Sequence, residues 1–319
     1  MKLKPLVRLA SATATAAAAS FGAGYLIFYE VMNRNARIYP KIASIAAKKL
    51  ADTSIPATDP RIVWFENQPI QEFERINSQN LRLKGHLIAA EKPSKVYVFC
   101  SHGYRSSGFG EYKVMTKFYH DLGYNVFIVD HQSHGGSDGN WIGFGEREYK
   151  DCLLWLDWMK EKFGDDIQII LQGISMGSAT VMLMSGDDSL PDNVKFTVAD
   201  CGFTTCKAQF EHCLKSLMHI PKFPILYTAD IFNRKINGYD FADPDPINAV
   251  SKAKVPILFI HGNSDTFVPT YMCHQLYAAC TSEYKDMLLV KGAAHAESYK
   301  RDSAAYEAKV KEFADKFIK

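Results

Sequence analysis

Three short stretches of the 319-residue chain carry residue types that can do nucleophilic chemistry together. Gly173-Ile174-Ser175-Met176-Gly177 sets a serine between two glycines. His261-Gly262-Asn263-Ser264-Asp265 sets a carboxylate after a hydrophobic run, and Gly292-Ala293-Ala294-His295 sets a histidine after the next one. An alkyl alcohol is a weak nucleophile at neutral pH, so it needs a base within hydrogen-bond reach and a group that orients the base. Ser175, His295 and Asp265 can fill those roles in that order. Asp200 also ends a strand-like run and is the rival acid; Asp265 is preferred because its run immediately precedes that of the histidine.

Such chemistry builds negative charge on an acyl oxygen, which backbone N–H groups aimed at that oxygen can stabilise. The Met176 N–H, at the start of an expected helix, is one candidate donor. The Tyr104 N–H, in Ser101-His102-Gly103-Tyr104 after a core strand, is the second.

These groups need elements to hold them. Residues 166–171 are a β-branched run suited to a strand buried on both faces, and 178–184 are helix-compatible. Between them the chain must turn sharply, and Gly173 and Gly177 let strand and helix approach closely. From Arg61 onward, strand and helix patterns alternate, which predicts a mostly parallel sheet with helices on both faces. Residues 71–76 and 81–90 form an opening antiparallel hairpin, and 95–101, 125–130, 194–200, 255–260 and 286–290 are further strands. Helices are expected over 111–122, 146–163 and 303–318. The order Ser, Asp, His, each just after a strand, places all three at one sheet edge.

One interval is too long for a connection. Residues 202–250 contain Phe210, Leu214, Leu217 and Met218 at helical spacing, and are expected to cap the strand ends. The aromatics Phe223, Tyr227, Phe232, Tyr239 and Phe241 would line an apolar pocket there or pack among themselves.

The amino terminus has a different character. Lys2, Lys4 and Arg8 precede 9–32, whose single charge is Glu30 and whose length suffices for a transmembrane helix. The expectation is a cytoplasmic tail (1–8), an uncleaved anchor (9–32), an amphipathic stem or linker (33–60) and an extracytoplasmic catalytic domain (61–319). A signal peptide cleaved near Ala19 is the rival. In the stem, Ile38, Ile42, Ile45 and Leu50 recur among Lys41, Lys48 and Lys49.

Composition narrows the partners. With 37 basic and 35 acidic residues and no basic stripe interleaved with aromatics, nucleic acid is not expected. Seven cysteines match no C-x-x-C spacing, so no zinc site is indicated, and Cys206 with Cys213 is the one pair worth testing for a disulfide. Asp130, His131 and His134 form a two-histidine cluster in a glycine-rich loop, which more often hydrogen-bonds locally than binds metal.

Taken together, H-G-Y at 102–104, D-x-x-x-H-G-G-S at 130–137, G-I-S-M-G at 173–177, H-G-N-S-D-x-x-V-P at 261–269 and G-A-A-H at 292–295 resemble the α/β-hydrolase superfamily. They are most similar to its bacterial membrane-anchored members grouped with serine aminopeptidase-like and prolyl-oligopeptidase-like hydrolase domains. The resemblance covers about 61–319. It implies an α/β-hydrolase fold with Ser175 as nucleophile, His295 as base, Asp265 as its partner, Tyr104 and Met176 as oxyanion donors, and no cofactor. The expected activity is hydrolysis of small-molecule or lipid-like acyl esters through an acyl-enzyme. Peptidase or thioesterase activity, and a silent membrane-tethered binding module, are the alternatives.

Overall fold

The computed structural model describes residues 4–38 and 55–319, with side chains from residue 18 onward in the first segment. Eight strands build one sheet: β1 (Ile70–Ile76), β2 (Arg82–Ile88), β3 (Val96–Ser101), β4 (Asn125–Asp130), β5 (Gln168–Ile174), β6 (Val194–Asp200), β7 (Ile257–Gly262) and β8 (Lys285–Val290). Their order is β1-β2-β4-β3-β5-β6-β7-β8. β2 runs antiparallel to both its neighbours, and every other pair is parallel.

Alternation along the strands explains why both faces are covered. Val98, Cys100, Val126, Ile128 and Leu258 point to one face, where they meet helices α3 (Gly108–Tyr112), α4 (Thr116–Asp121) and α12 (Ser303–Phe317) through Tyr112, Tyr119 and Phe313. Phe99, Phe127, Ile169 and Leu171 point to the other, against Trp155 and Leu156 of α5 (Glu148–Phe163) and Val181 and Met184 of α6 (Met176–Ser185). A strand with apolar residues on both sides cannot face water, so the runs of continuous hydrophobicity become the sheet centre. The remaining helices are α1 (Lys4–Met32), α2 (Pro60–Glu66), α7 (Cys206–His212), α8 (Ile225–Asn237), α9 (Pro246–Val250), α10 (Thr270–Ala279) and α11 (Ser298–Arg301).

Several expectations are corrected. The helix expected over 111–122 is two pieces, α3 and α4: the Thr116 hydroxyl donates to the Tyr112 carbonyl (2.8 Å), and the Phe118 N–H turns to Met115 at i−3. Cys206 and Cys213 are free thiols. They lie seven residues apart on one helical run, about 10 Å of rise, beyond the reach of a disulfide. The 202–250 interval is built of α7, a π-helical turn (Cys213–Leu217), α8 and α9, but Leu217, Phe223 and Tyr227 face solvent.

The largest difference lies at the amino terminus. A helix does cover 9–32, but no helix among the described residues is long and apolar enough to cross a membrane. The end of that stretch is committed elsewhere: Phe28 and Met32 are buried in a cluster with Met176, Leu226 and Phe241. Gly24 sits against α8 so closely that a Cβ would lie 1.9 Å from Thr228 Oγ1. Asn33, expected to open a separate stem, bridges to Trp141, and Ile142 donates to Met32 O (2.8 Å). Ile38 is exposed. The rest of the expected stem, 39–54, and residues 1–3 of the expected tail lie outside the described residues.

Candidate active site

β5 runs to Ile174, and the next residue, Ser175, has φ 56° and ψ −115° before α6 begins at Met176. A non-glycine residue in that region is strained, and such strain persists only where the surroundings enforce it. They do so here by close packing. A Cβ on Gly173 would lie 2.2 Å from Gly177 O, and one on Gly177 would lie 1.9 Å from Ser101 O. The Ser175 N–H is held by Asp200 O at 2.8 Å. The turn therefore projects the hydroxyl beyond the strand ends.

Two loops complete the constellation. Ser175 Oγ lies 2.8 Å from His295 Nε2, and His295 Nδ1 lies 2.7 Å from Asp265 Oδ2. The other Asp265 oxygen accepts from the Phe267 and Val268 N–H groups, both at 2.9 Å. Burial opposes charge on Asp265, but His295 and His261 outweigh it and hold the carboxyl well below the usual range. The aspartate is thus ionised and aimed at His295. The β7 and β8 loops approach closely because Gly262 has no side chain; a Cβ there would meet Ala293 O at 2.2 Å.

Asp200, the rival acid, lies nearby but is not joined to His295. Its Oδ1 accepts from Ser298 Oγ at 3.1 Å, and burial pushes its pKa up to about 7. Asp130, His131 and His134 make local bonds. Asp130 accepts from the Gly108 and Gly136 N–H groups, His131 Nε2 pairs with Ser101 Oγ at 2.9 Å, and His134 Nε2 accepts from the Arg105 N–H at 3.0 Å. Burial lowers both histidine pKa values, which leaves them neutral.

The candidate oxyanion donors flank the hydroxyl. Met176 opens the first turn of α6, where N–H groups have no acceptor within the helix and the helix dipole is positive. Opposite, a Cβ on Gly103 would lie 3.4 Å from Ser175 Cβ, which brings the β3 loop and the Tyr104 backbone alongside Ser175. His102 braces that loop: Nδ1 donates to Gly103 O (2.8 Å) and Nε2 accepts from the His131 N–H (3.1 Å), which fixes the neutral tautomer.

Ser175, Met176 and Tyr104 open onto an apolar pocket. Its cap wall includes Phe210, Leu214, Met218, Leu226 and Phe241, and Phe144 and Phe267 come from body loops. Ile27, Phe28, Val31 and Met32 of α1 form another wall. The sequence reading missed that wall because an apolar helix end reads alike whether it packs on lipid or on protein. It also missed Phe144, at φ 51°, whose loop is held by the buried Glu148 carboxylate accepting from the Gly143 and Gly145 N–H groups (2.7 and 2.8 Å). Two glycines and two acids in 143–148 were the available signal. His261 was passed over as well: its Nε2 lies 2.8 Å from Val268 O and 3.3 Å from Asp265 Oδ2.

A second cavity, of about 240 Å³, lies beside the residues that flank the site. Ile174 and Ala296 line it together with the charged Glu111, Lys113, Asp200 and Lys300.

A mostly parallel sheet with a strained serine at one strand end, and an aspartate and histidine on the loops after the last two strands, defines an α/β-hydrolase. An esterase of Pyrococcus furiosus superposes with a TM-score of 0.64 at 19% identity, covering 84% of this chain and 97% of its own. The acylaminoacyl peptidase of Pyrococcus horikoshii superposes at 0.59 and 18% identity, over 82% of this chain and 44% of its own. The uncharacterized protein YqkD of Bacillus subtilis is 30% identical over 251 residues, 79% of this chain and 81% of that protein. The prolyl oligopeptidase family profile matches residues 111–319, and the chain belongs to that family. It is a hydrolase of the esterase and peptidase kind.

Proposed function

We propose that the protein is a serine hydrolase that cleaves esters of apolar acyl groups through an acyl-enzyme. The observation that carries this is a 2.8 Å contact between Ser175 Oγ and His295 Nε2 at the floor of a pocket walled by apolar side chains. His295 takes the Ser175 proton as Oγ attacks the acyl carbon, while the Met176 and Tyr104 N–H groups receive the oxyanion. His295 then returns the proton to the leaving alcohol. Water attacks the acyl-enzyme by the same route, and Asp265 keeps the imidazole oriented throughout. The acyl chain lies between α1 and the cap.

Family membership favours peptidase action as the second reading, since the same three groups serve amides. The test is a fluorophosphonate probe on the wild type and on Ser175→Ala, followed by p-nitrophenyl esters, aminoacyl amides and acyl thioesters. Labelling lost in the variant, with ester turnover dominant, supports the proposal. Dominant amide turnover supports the second reading, and an unlabelled wild type would leave a binding module.

Membrane attachment belongs to the same proposal. Lys2, Lys4 and Arg8 give the start of the chain a positive charge, and Phe21, Tyr25 and Leu26 on α1 are exposed. A chain so attached stays in the membrane fraction through a carbonate wash with its amino terminus near Met1; release by the wash would count against it.

A further inference from the structure

The N-terminal helix does more than wall the pocket. Its last turn is tied to the loop that carries the Tyr104 N–H, and the tie is made by the two residues at the centre of that loop. Arg105 Nη2 donates to Glu30 O (2.9 Å) and Asn33 O (2.7 Å), and Nη1 donates to Arg34 O (3.3 Å). Arg105 Nε donates to Tyr104 Oη (2.7 Å), and that hydroxyl donates in turn to Val31 O (2.7 Å). Burial pushes the Tyr104 pKa up to about 12, so the hydroxyl keeps the proton it donates.

The acceptors explain why an arginine stands there. Carbonyls at the C-terminal end of a helix have no N–H donor within the helix and carry the negative end of its dipole. A guanidinium is always charged and presents its donors in a flat fork, so it can hold several of them at once; an ammonium cannot match that geometry. Arg105 thus caps α1 from outside the helix. Its own backbone is at φ 56°, a conformation that needs enforcement in a residue with a side chain. The His134 ring accepts its N–H on one side, and the carbonyls of Glu30 in α1 and of Asn33 and Arg34 just past it grip its side chain on the other.

We propose that Arg105 is a positioning residue: by latching the end of α1 to the β3 loop, it fixes the Tyr104 N–H at the distance an oxyanion requires. This rests on the reading of Tyr104 as an oxyanion donor. α1 is then part of the catalytic apparatus, although no side chain of it reacts.

The test uses the full chain with p-nitrophenyl acetate, whose acyl group is too short to depend on the far pocket wall. Arg105→Ala and Arg105→Lys are compared with Phe163→Ala, which loosens packing at the end of α5 on the sheet face away from the pocket and leaves the latch. Complete loss of an oxyanion donor costs roughly two to three orders of magnitude in turnover, so a displaced donor should cost less. Arg105→Ala is expected to lower kcat by about ten- to a hundredfold with KM within about threefold, and millimolar guanidinium should restore part of it. Arg105→Lys should fall between, and serves alone where the alanine variant does not fold. Phe163→Ala should lower the thermal midpoint and leave acetate kcat nearly unchanged. A kcat unaffected in Arg105→Lys and Arg105→Ala overturns the proposal. So does a loss that guanidinium does not relieve and that Phe163→Ala reproduces in step with its thermal midpoint. If fluorophosphonate fails to label the wild type, the serine-hydrolase reading falls and this proposal with it; labelling with unchanged Arg105 kinetics removes this proposal alone.

Discussion

The two buried aspartates at the strand ends show how surroundings sort chemically identical groups. Asp265 accepts two backbone N–H groups on one oxygen and faces His295 with the other, so it stays ionised. Asp200 accepts one hydroxyl, from Ser298, and burial raises its pKa to about 7. Asp265→Asn should therefore lower kcat by about three to four orders of magnitude, by presenting His295 with the wrong hydrogen-bond partner, while Asp200→Asn changes kcat less than tenfold. Steady-state kinetics decide this, and the reverse ranking would give Asp200 the role. A pH effect follows too. Asp200 binds its proton more tightly folded than unfolded, so its contribution to stability is full below about pH 4 and is lost as pH rises through about 7. Asp200→Asn should then flatten the fall in thermal midpoint between pH 5 and pH 8. A wild-type slope in the variant would show that the carboxyl titrates normally. At this scale Ser175, Asp265 and His295 were legible because each follows a strand that declares itself by hydrophobicity. Chain order favoured Asp265 over Asp200, but the physical difference between the two was not legible, because it depends on which donors face each carboxylate.

Among the elements, the cap between β6 and β7 was legible as an interval, and only partly as a set of side chains. Phe210 and Leu214 line the pocket, whereas Leu217, at the same helical spacing in the sequence, is 44% exposed. The π-helical turn from Cys213 to Leu217 advances the chain differently from an α-helix, so periodicity carried across it assigns the wrong face. Phe210→Ala and Leu214→Ala should shift the preferred acyl length, chiefly through KM, by tens-fold at most, since removing a few methylenes from an apolar wall is worth about 1–3 kcal/mol. Leu217→Ala should leave that preference where it was. A panel of p-nitrophenyl esters from acetate to palmitate reads all three. Equal shifts at Leu217 would mean the cap closes differently over substrate.

At the scale of the molecule, the sheet and its two helical layers follow from the alternation of patterns, but the place of α1 does not. Residues 27–36 lie about seventy positions from Tyr104 in the chain and touch it through backbone carbonyls, which leave no mark on a side-chain pattern. Removing residues 1–37 should therefore cost far more ester turnover than Phe28→Ala does. Removing residues 1–17, ahead of the contact with α8 at Ser20 and Gly24, should cost little. Turnover of p-nitrophenyl butyrate by the purified chains measures both. Equal activities would mean the hydrolase body stands complete from Arg61.

The grip of Arg105 on carbonyls rather than on side chains also bears on how such a chain can diverge. Positions 30, 31, 33 and 34 offer the same acceptors whatever side chains they carry, provided the backbone keeps its course. Descendants can rewrite the exposed side chains further up α1, such as Phe21, Tyr25 and Leu26, without touching the latch, and with them whatever the start of the helix attaches to. An insertion, a deletion or a proline in the same few residues would instead move the acceptors. The latch itself constrains the length of that turn and not its spelling.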